Sequence, residues 1–80
     1  MSHMETKSYG ERVAAEVRAE IARQNTTQRK VANDSGIALS TLNRKLRHGA
    51  PFDVVELCGI ARALNVPMKS LMPNVEQVAA

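Results

Sequence analysis

The stretch Thr27–Leu46, TQRKVANDSGIALSTLNRKL, constrains this chain more than any other. It reads as two short helices hinged at Gly36. Thr27 is a good N-cap for a helix from Gln28 to about Asp34, because its hydroxyl accepts from an amide left open in the first turn. Val31 and Ala32 face inward, and the small Ala32 lets two helices cross closely. Gly36 supplies the positive φ of a tight helix-to-helix turn, and Ile37 plugs that turn. The next helix begins near Ala38 and ends by His48-Gly49. At about 100° per residue, Leu39, Leu42 and Leu46 fall within about 60° of one another. Ser40, Asn43, Arg44 and Arg47 span about 100° on the opposite side, with Thr41 and Lys45 on a flank between the two. The apolar side must be buried, so the polar, cationic side is presented outward.

The rest of the chain supplies helices that bury this pair. Ser8 followed by Glu11 makes a capping box for a first helix from about Tyr9 to Gln24. Val13, Val17 and Ile21, with Ala14 beside them, form its inward stripe. Arg12, Glu16, Glu20 and Arg23 lie elsewhere and are expected to face water, and Asn25-Thr26 closes the helix. After Gly49-Ala50-Pro51 breaks the chain, Asp53 caps a fourth helix. Glu56 is its capping-box partner, and Phe52 and Leu57 stand at hydrophobic-staple spacing. Leu57, Ile60, Ala61 and Leu64 form the buried stripe. Cys58, beside that stripe, reads as a small buried residue. Gly59 costs roughly 1 kcal/mol relative to Ala in mid-helix, which implies close approach by another helix. Asn65 stops the helix. Pro67 can start a short fifth helix, with Val66, Met68, Leu71 and Met72 closing the underside of the core and Pro73 ending it.

Eighty residues suffice for one domain with a net stability of only a few kcal/mol. Residues 8–73 form that domain. Residues 1–7 are expected to take no part in the fold, Ser-His-Met at 2–4 being native or a cloning remnant. Residues 74–80 form a short tail that frays or pairs with another subunit. With no Trp, one Phe and one Tyr, the core rests on Val, Leu, Ile, Ala and Met, and the class is all-α. The single Cys58 excludes an intramolecular disulfide and suggests a reducing compartment. No apolar run approaches the roughly 18 residues that span a bilayer.

The net charge is +3, but it is unevenly placed. Residues 28–48 hold Arg29, Lys30, Arg44, Lys45 and Arg47 against Asp34 alone, while the remaining six bases are outnumbered by seven acids. Positive charge therefore gathers on the hinged pair. Catalysis is not expected: His3 and His48 have no Ser/Asp or Cys partner at a set spacing. There is no CxxC, no HxxxH, no carboxylate cluster and no Gly-rich phosphate loop, so no cofactor, metal or small-molecule ligand is expected.

The segments TQRKVANDSGIALSTL and FDVVELCGIARALNVPMKSL together resemble the lambda repressor and Cro family of five-helix, helix-turn-helix regulators (the XRE-like class). The matching features are Gln28, Val31-Ala32, Gly36, Ile37, and Glu56 to Val66, in that order and spacing, over roughly residues 9–72. The chain departs from the family in four places. Ser35 stands where an apolar residue is usual, and Ala38 where Ser or Thr usually caps the recognition helix. Lys45 occupies a common core position whose duty Leu46 takes over. Leu39 aligns with a position that often reads bases, where it is either core or a contact for a thymine methyl.

The resemblance implies a compact five-helix DNA-binding domain whose third helix enters the major groove of double-stranded DNA. Arg44 is the first candidate for a base contact, through a bidentate pair with guanine O6 and N7. Asn43, toward adenine, Ser40 and Leu39 follow. Thr27, Gln28, Arg29 and Lys30 at the start of the second helix, with Thr41, Lys45 and Arg47, are the candidate phosphate contacts. The implied role is a Cro-like or repressor-like transcriptional regulator in the bacterial cytoplasm or nucleoid, of phage or chromosomal origin. A homodimer on a palindromic site is expected, with Met72, Val75 and Val78 as interface candidates. A monomer on an asymmetric site is the alternative. The competing function is a protein-interaction module or antitoxin-type regulator on the same fold.

Overall fold

Each helix start in this chain is written by a capping side chain or by its absence. In the computed structural model, which describes residues 8–73, α1 runs Tyr9–Arg23. The Ser8 hydroxyl accepts from the Glu11 amide at 3.1 Å, and the Ser8 amide donates to Glu11 Oε1 at 3.0 Å. The sequence predicts this reciprocal capping box. Helix α2, Gln28–Ser35, starts on Thr27, whose Oγ1 accepts from the Lys30 amide at 3.1 Å. Helix α3, Leu39–His48, follows Ala38, which offers no side-chain cap. Helix α4, Val54–Leu64, opens with a second capping box, Asp53 Oδ1 accepting from the Glu56 amide at 2.7 Å and Glu56 Oε1 from the Asp53 amide at 3.0 Å.

The helix ends follow the left-handed logic of C-terminal caps. Gly36 has φ +78° and Asn65 φ +59°. The amides of Gly36 and Ile37 both reach the Ala32 carbonyl, at 3.0 and 3.2 Å, which folds α2 back toward α3 in three residues. A Cβ at Gly36 would meet nothing within 4 Å, so only the backbone conformation opposes substitution there. Gly36→Ala is therefore expected to lower stability by about 1 kcal/mol, measured by urea denaturation. A neutral result would mean that the turn relaxes at no cost.

The fifth helix expected from the sequence is instead one 3₁₀ turn, Met68–Leu71. Pro67 starts it, but Pro73 disfavours helical geometry at the residue before it, and Met72 accordingly sits extended at φ −109°, ψ 127°. Four residues remain, enough for a single turn. Among the described residues the molecule is thus four α-helices with one 3₁₀ turn and no strand. Helix α2 lies between α3 and α4, and α1 packs on α3 and the 3₁₀ turn. The core they enclose consists of Val13, Ala14, Val17, Ile21, Val31, Ala32, Leu42, Leu46, Leu57, Ile60, Ala61, Leu64 and Leu71, all aliphatic. Phe52, Val66 and Met68 pack against it half-buried, whereas Met72 is exposed. Gly59 has the packing reason expected of it, since a Cβ there would stand 3.1 Å from the Ser35 carbonyl oxygen at the end of α2.

Three burial expectations are corrected. Cys58 is exposed. It lies one residue past Leu57, and 100° of rotation carries it off the buried stripe onto the outer face with Val54, Val55 and Arg62. Glu20 does not face water, its side chain being only 13% exposed. It pairs with Arg23 and accepts from Gln24 Nε2 at 2.8 Å, while that same Nε2 donates to the Leu64 carbonyl at 2.7 Å. The carboxylate thereby orients an amide that ties the end of α1 to the end of α4. Arg12 is likewise half-buried, whereas Glu16 and Arg23 are exposed. The expectations for residues 1–7, and for Val75 and Val78, lie outside the described residues.

Candidate nucleic-acid interface

Helix α3 is fastened on one side only. Leu42 is 0% and Leu46 1% exposed, and both drive into the core between α1 and α2. Arg18 on α1 donates from Nη1 to the Leu46 carbonyl, satisfying one of the carbonyls that a helix C-terminus leaves open. Arg47 and His48 lie in the same last turn, so three cationic or basic side chains sit at the negative end of the helix dipole. With Glu11, Ala14, Leu46 and Gly49 they line an open pocket of about 260 Å³ between α1 and α3. The sequence reading missed Arg18, because a bond to a residue 28 positions away leaves no local signal.

On the opposite side, Ser40, Asn43, Arg44 and Arg47 are all exposed. Their helical spacing places them on one face, opposite the two buried leucines. The two acids that stand nearest in sequence logic are both engaged elsewhere. Asp34 holds Lys30 at 3.0 Å, and Glu56 holds Lys45 at 2.6 Å. Among the described residues, neither Arg44 nor Arg47 has an ion-pair partner. The face therefore offers a carboxamide, a hydroxyl and two guanidiniums with their donors uncommitted.

Lys45 does not join this face. Its side chain is 16% exposed, it pairs with Glu56, and its ammonium lies 5.6 Å from the centroid of the Phe52 ring. An ion pair reinforced by a cation–π contact directs it toward α4, on the flank of α3 that packs. The core duty usual at its position falls to Leu46, as expected. Leu39 is half-buried and packed against the core, so it borders the open face rather than projecting from it. Thr41, on the same flank as Lys45, is also half-buried.

At the start of α2, Thr27, Arg29 and Lys30 are exposed and Gln28 is half-buried. Thr27 Oγ1 is occupied as an acceptor by the Lys30 amide, but its hydroxyl proton remains a donor. The Lys30–Asp34 pair is an exposed i,i+4 bridge, worth roughly 0.3–0.5 kcal/mol, and a stronger anion displaces it easily. Arg29 lines an open groove of about 460 Å³ with Ala32, Asn33 and the turn from Gly36 to Leu39. This arrangement is that of two helices joined by a glycine turn, the first offering amides and cations at its N-terminus, the second a polar face.

No group of His, Cys, Asp and Glu among the described residues could hold a metal ion, and no described helix is long and apolar enough to cross a membrane. A family model described as the BetR domain matches residues 9–80. No curated protein and no solved structure matches the chain.

Proposed function

Given that the chain belongs to the BetR domain family, a family of small helix-turn-helix DNA-binding regulators rather than of enzymes, we propose that it binds double-stranded DNA sequence-specifically with α3 in the major groove. One observation carries this reading: among the described residues the exposed face Ser40–Asn43–Arg44–Arg47 has no acidic partner, while Leu42 and Leu46 on the reverse of the same helix are buried. A helix so anchored can present its side chains to a groove without moving its own core.

Arg44 and Asn43 suit base edges, because a guanidinium matches guanine O6/N7 and a carboxamide matches adenine N6/N7. Ser40 stands one turn closer to the start of α3. Leu39 offers methyl groups at the margin of the same face. Thr27, Gln28, Arg29 and Lys30 gather at the amide end of α2, which favours a phosphate, and Arg47 and Thr41 extend the backbone contacts. Lys45 is left out of the phosphate set because Glu56 and Phe52 hold it. Seated over a promoter in the cell interior, such a domain blocks polymerase, so repression is the proposed output, and a palindromic site with two copies the proposed arrangement.

Salt dependence separates these roles. Each phosphate neutralised contributes about −0.9 to the slope of log K against log salt. Arg47→Gln is expected to reduce the slope by about one unit, measured by fluorescence anisotropy on one duplex. Lys45→Gln is expected to leave the slope unchanged. A reduced slope for Lys45→Gln would restore it to the phosphate set. The overall reading is tested by selecting from a random duplex library with purified protein. An enriched motif supports it, and no enrichment even at low salt would favour a protein-interaction role.

A further inference from the structure

The outer face of α4 is apolar where solvent-facing helices are usually charged. Val54 is 71% and Val55 80% exposed, and Cys58 and Arg62 are exposed beside them. At 100° per residue these four fall within a wedge of about 100°, opposite Leu57, Ile60 and Leu64. From this face we infer that α4 pairs with α4 of a second copy of the chain, antiparallel across a two-fold axis near Cys58. The inference rests on the DNA-binding reading above and names the surface through which two copies meet on DNA.

Three features select a second copy as the occupant. First, the face is self-complementary. An antiparallel pair brings Arg62 of each copy to the N-terminal end of the other α4, where Asp53 is exposed, and sets the valines beside the arginine stem. A two-fold contact makes each such pairing twice. Second, the position leaves the reading face open. The Lys45–Glu56 pair at 2.6 Å fastens the first turn of α4 to the packing flank of α3, about 150° around α3 from the centre of its open face. Glu56 in turn stands about 150° around α4 from the middle of the Val54–Val55–Cys58–Arg62 face, so a second copy seated on that face lies on the side of α4 away from α3 and covers neither reading face. Third, the patch is small. Two exposed valines and a cysteine fall far short of the ~800 Å² per partner of a stable interface. Two copies therefore pair weakly in free solution and firmly only when a shared duplex raises their effective concentration to about the millimolar range.

Cys58, the single cysteine of the chain, lies at the proposed axis and reports on it directly. The test treats the full chain with a short bismaleimide, free and on duplexes from the library-enriched pool, and measures affinity for single-site and two-site duplexes. The expected result is a cross-linked dimer on two-site duplex and little without DNA. Val55→Glu is expected to abolish the cross-link and weaken two-site binding roughly tenfold or more, with single-site binding unchanged. That variant folds, because an acid in the first helical turn suits the dipole and the site is exposed. A cross-link and two-site affinity unaffected by Val55→Glu, or wild-type protein on two-site duplex with no cross-link, would overturn the pairing and leave DNA binding standing. Wild-type protein that binds no duplex would remove both.

Discussion

Leu42→Ala is expected to leave most of the protein unfolded at 25 °C. Leu42 is 0% exposed and projects from α3 into the seam between the helices, so its removal subtracts burial and opens a cavity. Such substitutions cost about 2–5 kcal/mol, and a domain of this size commands only a few. The core has little means to compensate. It is wholly aliphatic, and Phe52, the single phenylalanine, sits half-buried at its edge. The effect is read from urea denaturation by far-UV circular dichroism, with Leu39→Ala as the comparison. Leu39 is half-buried, so its truncation should cost distinctly less. A loss below about 1 kcal/mol for Leu42→Ala would mean that α3 does not dock by this face, and the polar face would lose its claim to be the outward one.

Arg44→Ala should act oppositely, sparing the fold and impairing recognition. Arg44 is exposed and, among the described residues, no acid holds it, since Asp34 is taken by Lys30 and Glu56 by Lys45. Its loss should therefore shift stability by no more than about 0.5 kcal/mol. On the enriched duplex, discrimination at one base position should fall by about 1–3 kcal/mol, while binding to unrelated duplex changes little. Arg44→Lys should recover charge but not discrimination, because an ammonium cannot reproduce the planar two-donor fork. Affinities for all single-base variants of the site provide the measurement. An equal loss on every duplex would reassign Arg44 to the phosphates and move base reading to Asn43 and Ser40.

Both expectations rest on a division of α3 into two faces that was already legible in residues 39–47. Periodicity alone separates Leu42 and Leu46 from Asn43, Arg44 and Arg47, because a helix repeats every 3.6 residues whatever it packs against. The caps were equally local. Ser8 with Glu11, Thr27, Asp53 with Glu56, Gly36 and Asn65 each act on amides or carbonyls within a few positions, so their chemistry is spelled out in adjacent letters. The helix-turn-helix class followed from the same order of signals, and the BetR domain model that matches residues 9–80 belongs to that class without singling out Cro.

The errors share a different cause. Cys58 and Glu20 lie at the boundaries of their helices' buried stripes, where one residue is 100° of rotation and only the neighbouring helix decides which side is covered. Glu20 is covered where Gln24 reaches across to the Leu64 carbonyl, a contact 40 residues long. Lys45 read as one more cation on a basic helix until Glu56 and Phe52, from beyond the α3–α4 break, drew it to the packing side. The fifth helix shrank to a turn because two prolines set its limits together. Local signals thus specified where helices begin, end and turn apolar, since those depend on bonds within one or two turns. Which cations remain available to DNA, and which apolar side chains remain uncovered on α4, depended on contacts between distant segments and emerged only when the helices were packed.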